Sequence, residues 1–245
     1  MTLMQRLRNP QIPRPVIGGH RGHTSNIREN TIDNFRQLDC TRIPYIEIDV
    51  QLTKDDRLVL FHDLELSLTT PLSGTVRDHS LEQLRAAFQI NTVEEVLDWA
   101  ETSGMGIAFE LKLYPIYTQA ERSRIAEFLT REIQVHNCYE NCFVFGKDYQ
   151  ILRQIRDLDP KIHMAIIAPK EPDAAFLLMK ELDAFLYLDW ISGFRKELVD
   201  KLHAAGYLAD GSVVDTPEEV FLAMELGLDM IESNIPEEML AARKV

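Results

Sequence analysis

Residues 45–52 read YIEIDVQL, and the placement of this stretch decides the fold. Ile46, Ile48 and Val50 give it the look of a β-strand with a buried face. Glu47 and Asp49 stand between them, two positions apart, so both carboxylates share the opposite face. If that face is wet, the strand belongs to an antiparallel sheet with one side in water. If it is covered, two like charges sit side by side on a core element and need something positive between them.

The chain on either side bears on that choice. Short apolar or β-branched runs recur as PVIGGH (15–20), RLVLFHD (57–63), MGIAFELKL (105–113), CFVFG (142–146), IHMAIIA (162–168), AFLYLD (184–189), YLADGSVV (207–214) and DMIES (229–233). Between most of them lie stretches of helical period. TIDNFRQLDC follows Asn30, and TVEEVLDWAETSG runs from Thr92 to Gly104 with apolar Val93, Val96, Leu97 and Ala100 on one face. Further helices are expected over 118–136, 148–158, 171–182, 193–205 and 216–226, with a last turn from Pro236. Strand–helix alternation along the whole chain implies a parallel sheet with helices outside. Roughly eight such units in 245 residues fit a (β/α)8 TIM barrel best. An open doubly wound sheet is the alternative, weakened because no strand is followed by G-x-G-x-x-G; GGHRG (18–22) is a different pattern.

Composition narrows the partners. A formal net charge of −13 argues against nucleic acid and against an anionic membrane surface. A small anionic substrate remains compatible, because a local cation can invert the field in one pocket. No run approaches the roughly 20 apolar residues of a membrane-spanning helix, and MTLMQRLRNPQIPRP lacks the apolar core of a secretory signal. The three cysteines, Cys40, Cys138 and Cys142, are too few for a disulfide framework, so a cytoplasmic setting is expected. HNCYENC (136–142) offers soft ligands but no second pair at a zinc-finger spacing; a loop leading into a strand near Cys142 is expected instead.

In a (β/α)8 barrel the chemistry gathers at the C-terminal ends of the strands. The first strand ends in His20 and Arg21, the second carries Glu47 and Asp49, the next extended run ends in His62 and Asp63, and GIAFELKL carries Glu110 and Lys112. Two histidines, three acids aimed inward (Glu47, Asp49 and Glu110), an arginine and a lysine thus reach one end, as a phosphate-ester site needs. Each has a plainer alternative: Lys112 two after Glu110 can be a surface ion pair, and a single histidine is usually a surface or turn residue, as expected of His23, His79, His136, His163 and His203.

In order and spacing, HRG (20–22), ENT (29–31) with Phe35, EIDV (47–50), FHD (61–63) and ELK (110–112) resemble the signature of the glycerophosphodiester phosphodiesterase family. LTKDDRLVLFHD (52–63) joins two of these motifs, and VDTPEEVFLAMELGLDMIESNIP (214–236) resembles the family's closing strand–helix–strand. The resemblance implies one barrel domain over 1–245 with a small insertion at about 63–91, after the second barrel unit. It implies one divalent cation, Mg2+ or Ca2+, on Glu47, Asp49 and Glu110, which would be the positive charge the opening stretch requires. It makes His20 and His62 the proton-transfer pair and sets Arg21 and Lys112 on phosphate oxygens. Departures fall where the substrate's alcohol is gripped. Leu68 stands where an arginine usually precedes Thr69 and Thr70, and Pro71 and Leu72 replace Asn-Gly. Gly146 replaces a serine at the end of the fourth barrel strand, and Ser212 opens SVVD where a tryptophan is usual; these last two are expected to line the pocket.

The implied reaction is hydrolysis of a glycerophosphodiester to sn-glycerol 3-phosphate and an alcohol such as choline or ethanolamine. The same site acting on a lysophospholipid, a cyclic or a sugar phosphodiester is one alternative, and a relative that binds a phosphodiester without cleaving it is another. The expected partner is a small-molecule phosphodiester, with no stable membrane association.

Overall fold

The computed structural model describes every residue except Ser25, Lys170, Glu171 and Val245. The first half runs α1 (Leu3–Arg8), β1 (Val16–His20), α2 (Ile32–Phe35), β2 (Tyr45–Leu52), β3 (Leu58–Leu60), α3 (Leu81–Ala87), α4 (Val93–Ser103), β4 (Gly106–Leu111), α5 (Gln119–Val135) and β5 (Cys142–Gly146). The second runs α6 (Tyr149–Leu158), β6 (Ala165–Ile167), α7 (Pro172–Leu182), β7 (Leu186–Trp190), α8 (Lys196–Ala204), β8 (Leu208–Ser212), α9 (Pro217–Leu226), β9 (Met230–Ser233) and α10 (Pro236–Ala242). The helix expected over 171–182 is described from Pro172 onward; its first residue, Glu171, lies outside the described residues.

Eight strands run parallel in the order β5-β4-β2-β1-β9-β8-β7-β6. The two ends of that order meet at a parallel bridge between Val144 and Met164, where the Val144 N–H donates to the His163 carbonyl at 2.9 Å. The sheet therefore closes into the expected (β/α)8 barrel, not an open sheet. All eight residues of β2 are buried, so the carboxylate face of YIEIDVQL is covered.

The barrel interior is filled by Val16, Tyr45, Ala108, Phe143, Phe145, Ala165, Leu186, Leu188 and Met230, and Leu3, Met4 and Leu7 of α1 pack into the same cluster. A Cβ on Gly18 would lie 2.2 Å from the Tyr45 ring, so that position must be glycine for the ring to cross the interior. The Tyr45 hydroxyl donates to the Ile231 carbonyl at 3.0 Å, which satisfies the one polar atom the ring brings inside.

Helix limits follow local chemistry. Thr92 caps α4 in a capping box with Glu95, and Gly104 at φ 74° ends it. The helix expected after Asn30 is cut to four residues. Past it, Asp39 Oδ1 accepts from the Thr41 N–H at 3.0 Å, an Asx turn that competes with the helix for the backbone.

RLVLFHD (57–63) departs from expectation. Only Leu58–Leu60 forms a strand, and it pairs antiparallel with β2 and stands off the barrel order. Residues 61–91 carry two short turns and α3 over a small core of Val59, Phe61, Leu66, Val76, Leu81, Leu84 and Ile90. A separate hydrophobic cluster lets this segment hold its shape beside the mouth of the barrel.

Candidate active site

The parallel register decides who meets whom. His20 on β1 pairs with Glu47 on β2, and Asp49 pairs with Glu110 on β4. Lys112 stays in line because its N–H donates to the Val50 carbonyl at 3.1 Å. After β1 the chain reverses through Arg21 at φ 57° and Gly22 at φ 103°. A Cβ on Gly22 would sit 2.0 Å from Asn34 Oδ1, so the HRG motif needs its glycine for both backbone and space. The reversal folds Arg21 back over β2. Its N–H donates to Glu47 Oε2 at 3.1 Å, and its guanidinium lies 3.1 Å from Asp49 Oδ2 and 3.2 Å from Glu29 Oε1.

Glu47, Asp49 and Glu110 each present an oxygen within 4.8 Å of the others. Lys112 Nζ stands 3.0 Å from Asp49 Oδ1 and 2.8 Å from Glu110 Oε1. The positive partners of the buried acids are thus, in part, the chain's own lysine and arginine. Asn30, at φ 56°, donates from Nδ2 to Asp49 Oδ2 at 2.7 Å and accepts the Asp49 N–H on Oδ1 at 3.2 Å. Burial alone would raise the Asp49 pKa, but the charges of Lys112 and Arg21 outweigh it and hold the carboxyl below its ordinary range. Burial, then Asp49, push Glu47 well above that range. Glu47 Oε1 is buried with no hydrogen-bond partner, a state that costs about 1–3 kcal/mol if left unmet. A hard cation fits here, since three carboxylates converge and one buried oxygen still lacks a partner.

The two imidazoles are held differently. His20 Nδ1 lies 2.8 Å from Asn234 Oδ1, while Asn234 Nδ2 donates to Asp215 Oδ2 at 2.6 Å. That donation fixes Asn234 Oδ1 as an acceptor, so His20 carries its proton on Nδ1 and turns the bare Nε2 toward Glu47, 3.9 Å away. Burial, then the Arg21 charge, lower the His20 pKa. His62 Nδ1 instead meets a carboxylate, Asp63 Oδ1, at 2.8 Å. Its loop is pinned from β2, where Gln51 Nε2 donates to the Phe61 and Asp63 carbonyls at 2.7 and 2.9 Å, and from the far side by the Tyr114 hydroxyl on the His62 carbonyl.

Two clefts share His20, Arg21 and His62. One, of about 500 Å3, is walled by Arg28, Asn30, Phe61, Asp63 and Thr69. The other, of about 470 Å3, is walled by Phe145, Leu188, Trp190, Ser212 and Glu232. Ser212 thus lines the site as expected. Gly146 does not: a Cβ there would meet Leu111 at 3.4 Å, and its neighbours Phe145 and Lys147 face the cleft. Leu68 is 69% exposed, while Thr69 lines the first cleft.

All of His20, Arg21, Glu47, Asp49, His62, Glu110, Lys112 and Ser212 therefore gather at one mouth. Glu232 on β9 and Asn234 just beyond it also face the mouth. His23 also borders the first cleft, whereas His136, His163 and His203 pair with Asp98, Glu140 and Asp229. Asn234 and Asp215 lie within the closing stretch 214–236, but nothing in the sequence assigns either a role at the site.

The fold and the mouth place the chain among (β/α)8 barrels whose polar site is built from the C-terminal ends of the strands. Residues 20–238 match the model of the Glycerophosphoryl diester phosphodiesterase family, and the chain belongs to that family. A glycerophosphodiester phosphodiesterase of Bacillus altitudinis is 29% identical over 243 residues, covering 93% of this chain and 98% of its own. One from Caldanaerobacter subterraneus is 25% identical, covering 92% and 96%. The structure of an Oleispira antarctica phosphodiesterase in complex with the product sn-glycerol-3-phosphate has a TM-score of 0.84 at 23% identity, covering 94% of this chain and 97% of that one.

Proposed function

We propose that the chain, acting as one domain with residues 63–91 as an insertion, hydrolyses glycerophosphodiesters to sn-glycerol 3-phosphate and a free alcohol. The observation that carries this is the convergence of three carboxylates, two imidazoles and two cationic side chains at one barrel mouth in a member of this family. Glu47, Asp49 and Glu110 would hold one divalent cation, Mg2+ or Ca2+, which when bound draws charge from a non-bridging phosphate oxygen.

The protein's own groups do the rest. Arg21 offers a planar fork to the phosphate and Lys112 a point charge. His20, with Nε2 bare and its pKa lowered, is the base that takes the proton of the attacking hydroxyl. His62, whose Nδ1 is oriented by the Asp63 carboxylate, is the acid that protonates the departing alkoxide. The two clefts diverging from these histidines give each arm of a diester its own channel.

The test is glycerol 3-phosphate production from glycerophosphocholine with magnesium, calcium and manganese supplied separately. Product is expected only with a cation, and Glu110→Gln should raise the cation concentration for half-maximal rate about tenfold or more. No product with any of the three cations, at protein concentrations where folding is verified, would overturn the proposal.

A further inference from the structure

We propose that Cys138 and Cys142 are an oxidation site: a dithiol that hydroperoxides convert to an intramolecular disulfide, at the opposite end of the barrel from the catalytic mouth. Their Sγ atoms lie 3.7 Å apart across the turn Tyr139–Asn141, which joins α5 to the N-terminal end of β5. Such proximity is uncommon for two free thiols without a shared ligand, and here the pair is asymmetric. Cys142 is 1% exposed, on the first residue of β5. Cys138 is half-buried and borders a cavity of about 300 Å3 together with His136. Cys142 also lines that cavity, but Cys138 is the less buried of the two and is the sulfur a small oxidant meets first.

The electrostatics follow the same division. The contact with Cys142, then the nearby His136, lower the Cys138 pKa; the same contact, then burial, raise that of Cys142. An accessible thiol favoured as thiolate beside a buried thiol is the arrangement of an attacking and a resolving cysteine. Cys40 has no such neighbour; its Sγ donates to the Leu38 carbonyl at 3.8 Å, and burial raises its pKa.

The chemistry balances with hydrogen peroxide as oxidant. The Cys138 thiolate attacks one peroxide oxygen, the O–O bond breaks, and the hydroxide released takes up a proton to leave as water. Cys138 is then a sulfenic acid. The Cys142 sulfur attacks it, the S–O bond breaks, and a second water leaves carrying the Cys142 proton. Two thiols have given up two electrons, and one peroxide has become two waters. A dithiol reductant reverses the product by exchange. The cross-link would fix the turn on which α1 rests, since Asn141 Oδ1 accepts the Leu3 N–H at 3.0 Å and Glu140 pairs with Arg8 at 3.2 Å.

The experiment treats the reduced full chain with stoichiometric hydrogen peroxide, blocks remaining thiols by alkylation, and maps them by peptide mass. Two of the three thiols should disappear together, joined within one peptide spanning Cys138 and Cys142, and return with dithiothreitol. They should be consumed about tenfold faster than Cys40. Cys142→Ser should lose one thiol only and accumulate a dimedone-reactive sulfenic acid at Cys138. Consumption of Cys40 as fast as Cys138, or passage of wild-type Cys138 to sulfinic acid without a disulfide, would overturn the proposal. The wild-type map decides the matter even if the variant does not fold.

Discussion

His20 and His62 differ in what stands behind them, and that difference should be measurable. Alanine at either position is expected to cost about 10²–10⁴ in turnover while the far-ultraviolet circular dichroism stays unchanged; retention of more than about a tenth of wild-type activity would contradict proton transfer by that residue. A finer test exchanges the groups behind His20. In Asn234→Asp with Asp215→Asn, an amide at 215 still donates to position 234, but His20 Nδ1 now faces a carboxylate. The His20 pKa, lowered in the native site by burial and Arg21, should rise, and a base must be unprotonated to act. The acidic limb of kcat/KM against pH should therefore move to higher pH in the double variant. An unmoved limb would remove His20 from the base role. The residues easiest to find in the sequence were those packed into short motifs, Glu47 with Asp49 and Glu110 with Lys112, because a period of two puts them on one face whatever the rest of the chain does. Asn234 lies 214 positions from His20, and no local pattern reports such a contact.

At the level of strands, the decisive question was whether the acidic face of β2 is wet or covered. Alternation alone could not separate the two, and eight parallel strands closing through Val144 and Met164 cover it. RLVLFHD shows the opposite failure. Its composition suits a buried strand, but it forms a short antiparallel hairpin strand against β2, since β-propensity reports fit to a half-buried surface and not which neighbour supplies it. The crossing of Tyr45 over Gly18 makes a sharper statement. Gly18→Ala places a methyl 2.2 Å from the ring, and the expected loss is about 1–3 kcal/mol in urea unfolding. Gly18→Ala with Tyr45→Leu should regain part of it, because the pair shares one volume. Equal stability of wild type and Gly18→Ala would show that the ring does not fill that space.

Across the barrel interior the charges are not confined to the mouth. Asp210 on β8 is fully buried, both its carboxylate oxygens lack partners, and burial, then Asp229, raise its pKa to about 8. Above the ordinary carboxylate range the unfolded chain releases this proton while the folded protein keeps it, so the folded state binds more protons. Stability attributable to Asp210 is complete at acid pH, falls as pH rises toward about 8, and is lost above it. Asp210→Asn removes the titration, so its melting temperature should gain on wild type more at about pH 9 than at about pH 5. A difference independent of pH would mean the group does not titrate in that window. The fold class, the order of elements and one end of the barrel as the site were all readable from period and composition. This buried acid was not, because the sequence YLADGSVV does not say whether Asp210 points in or out.

The hairpin of β2 and β3 has a consequence for how such a site can change over generations. His20, Glu47, Asp49 and Glu110 are fixed by strand register, so moving any of them means re-pairing the barrel. His62 rides on a loop beyond β3, tied to the barrel through Gln51, Tyr114 and the Phe61 N–H on the Asp49 carbonyl. One member of the proposed acid–base pair is therefore placed by a peripheral loop and not by strand register, so changes in that loop can move it without re-pairing the barrel.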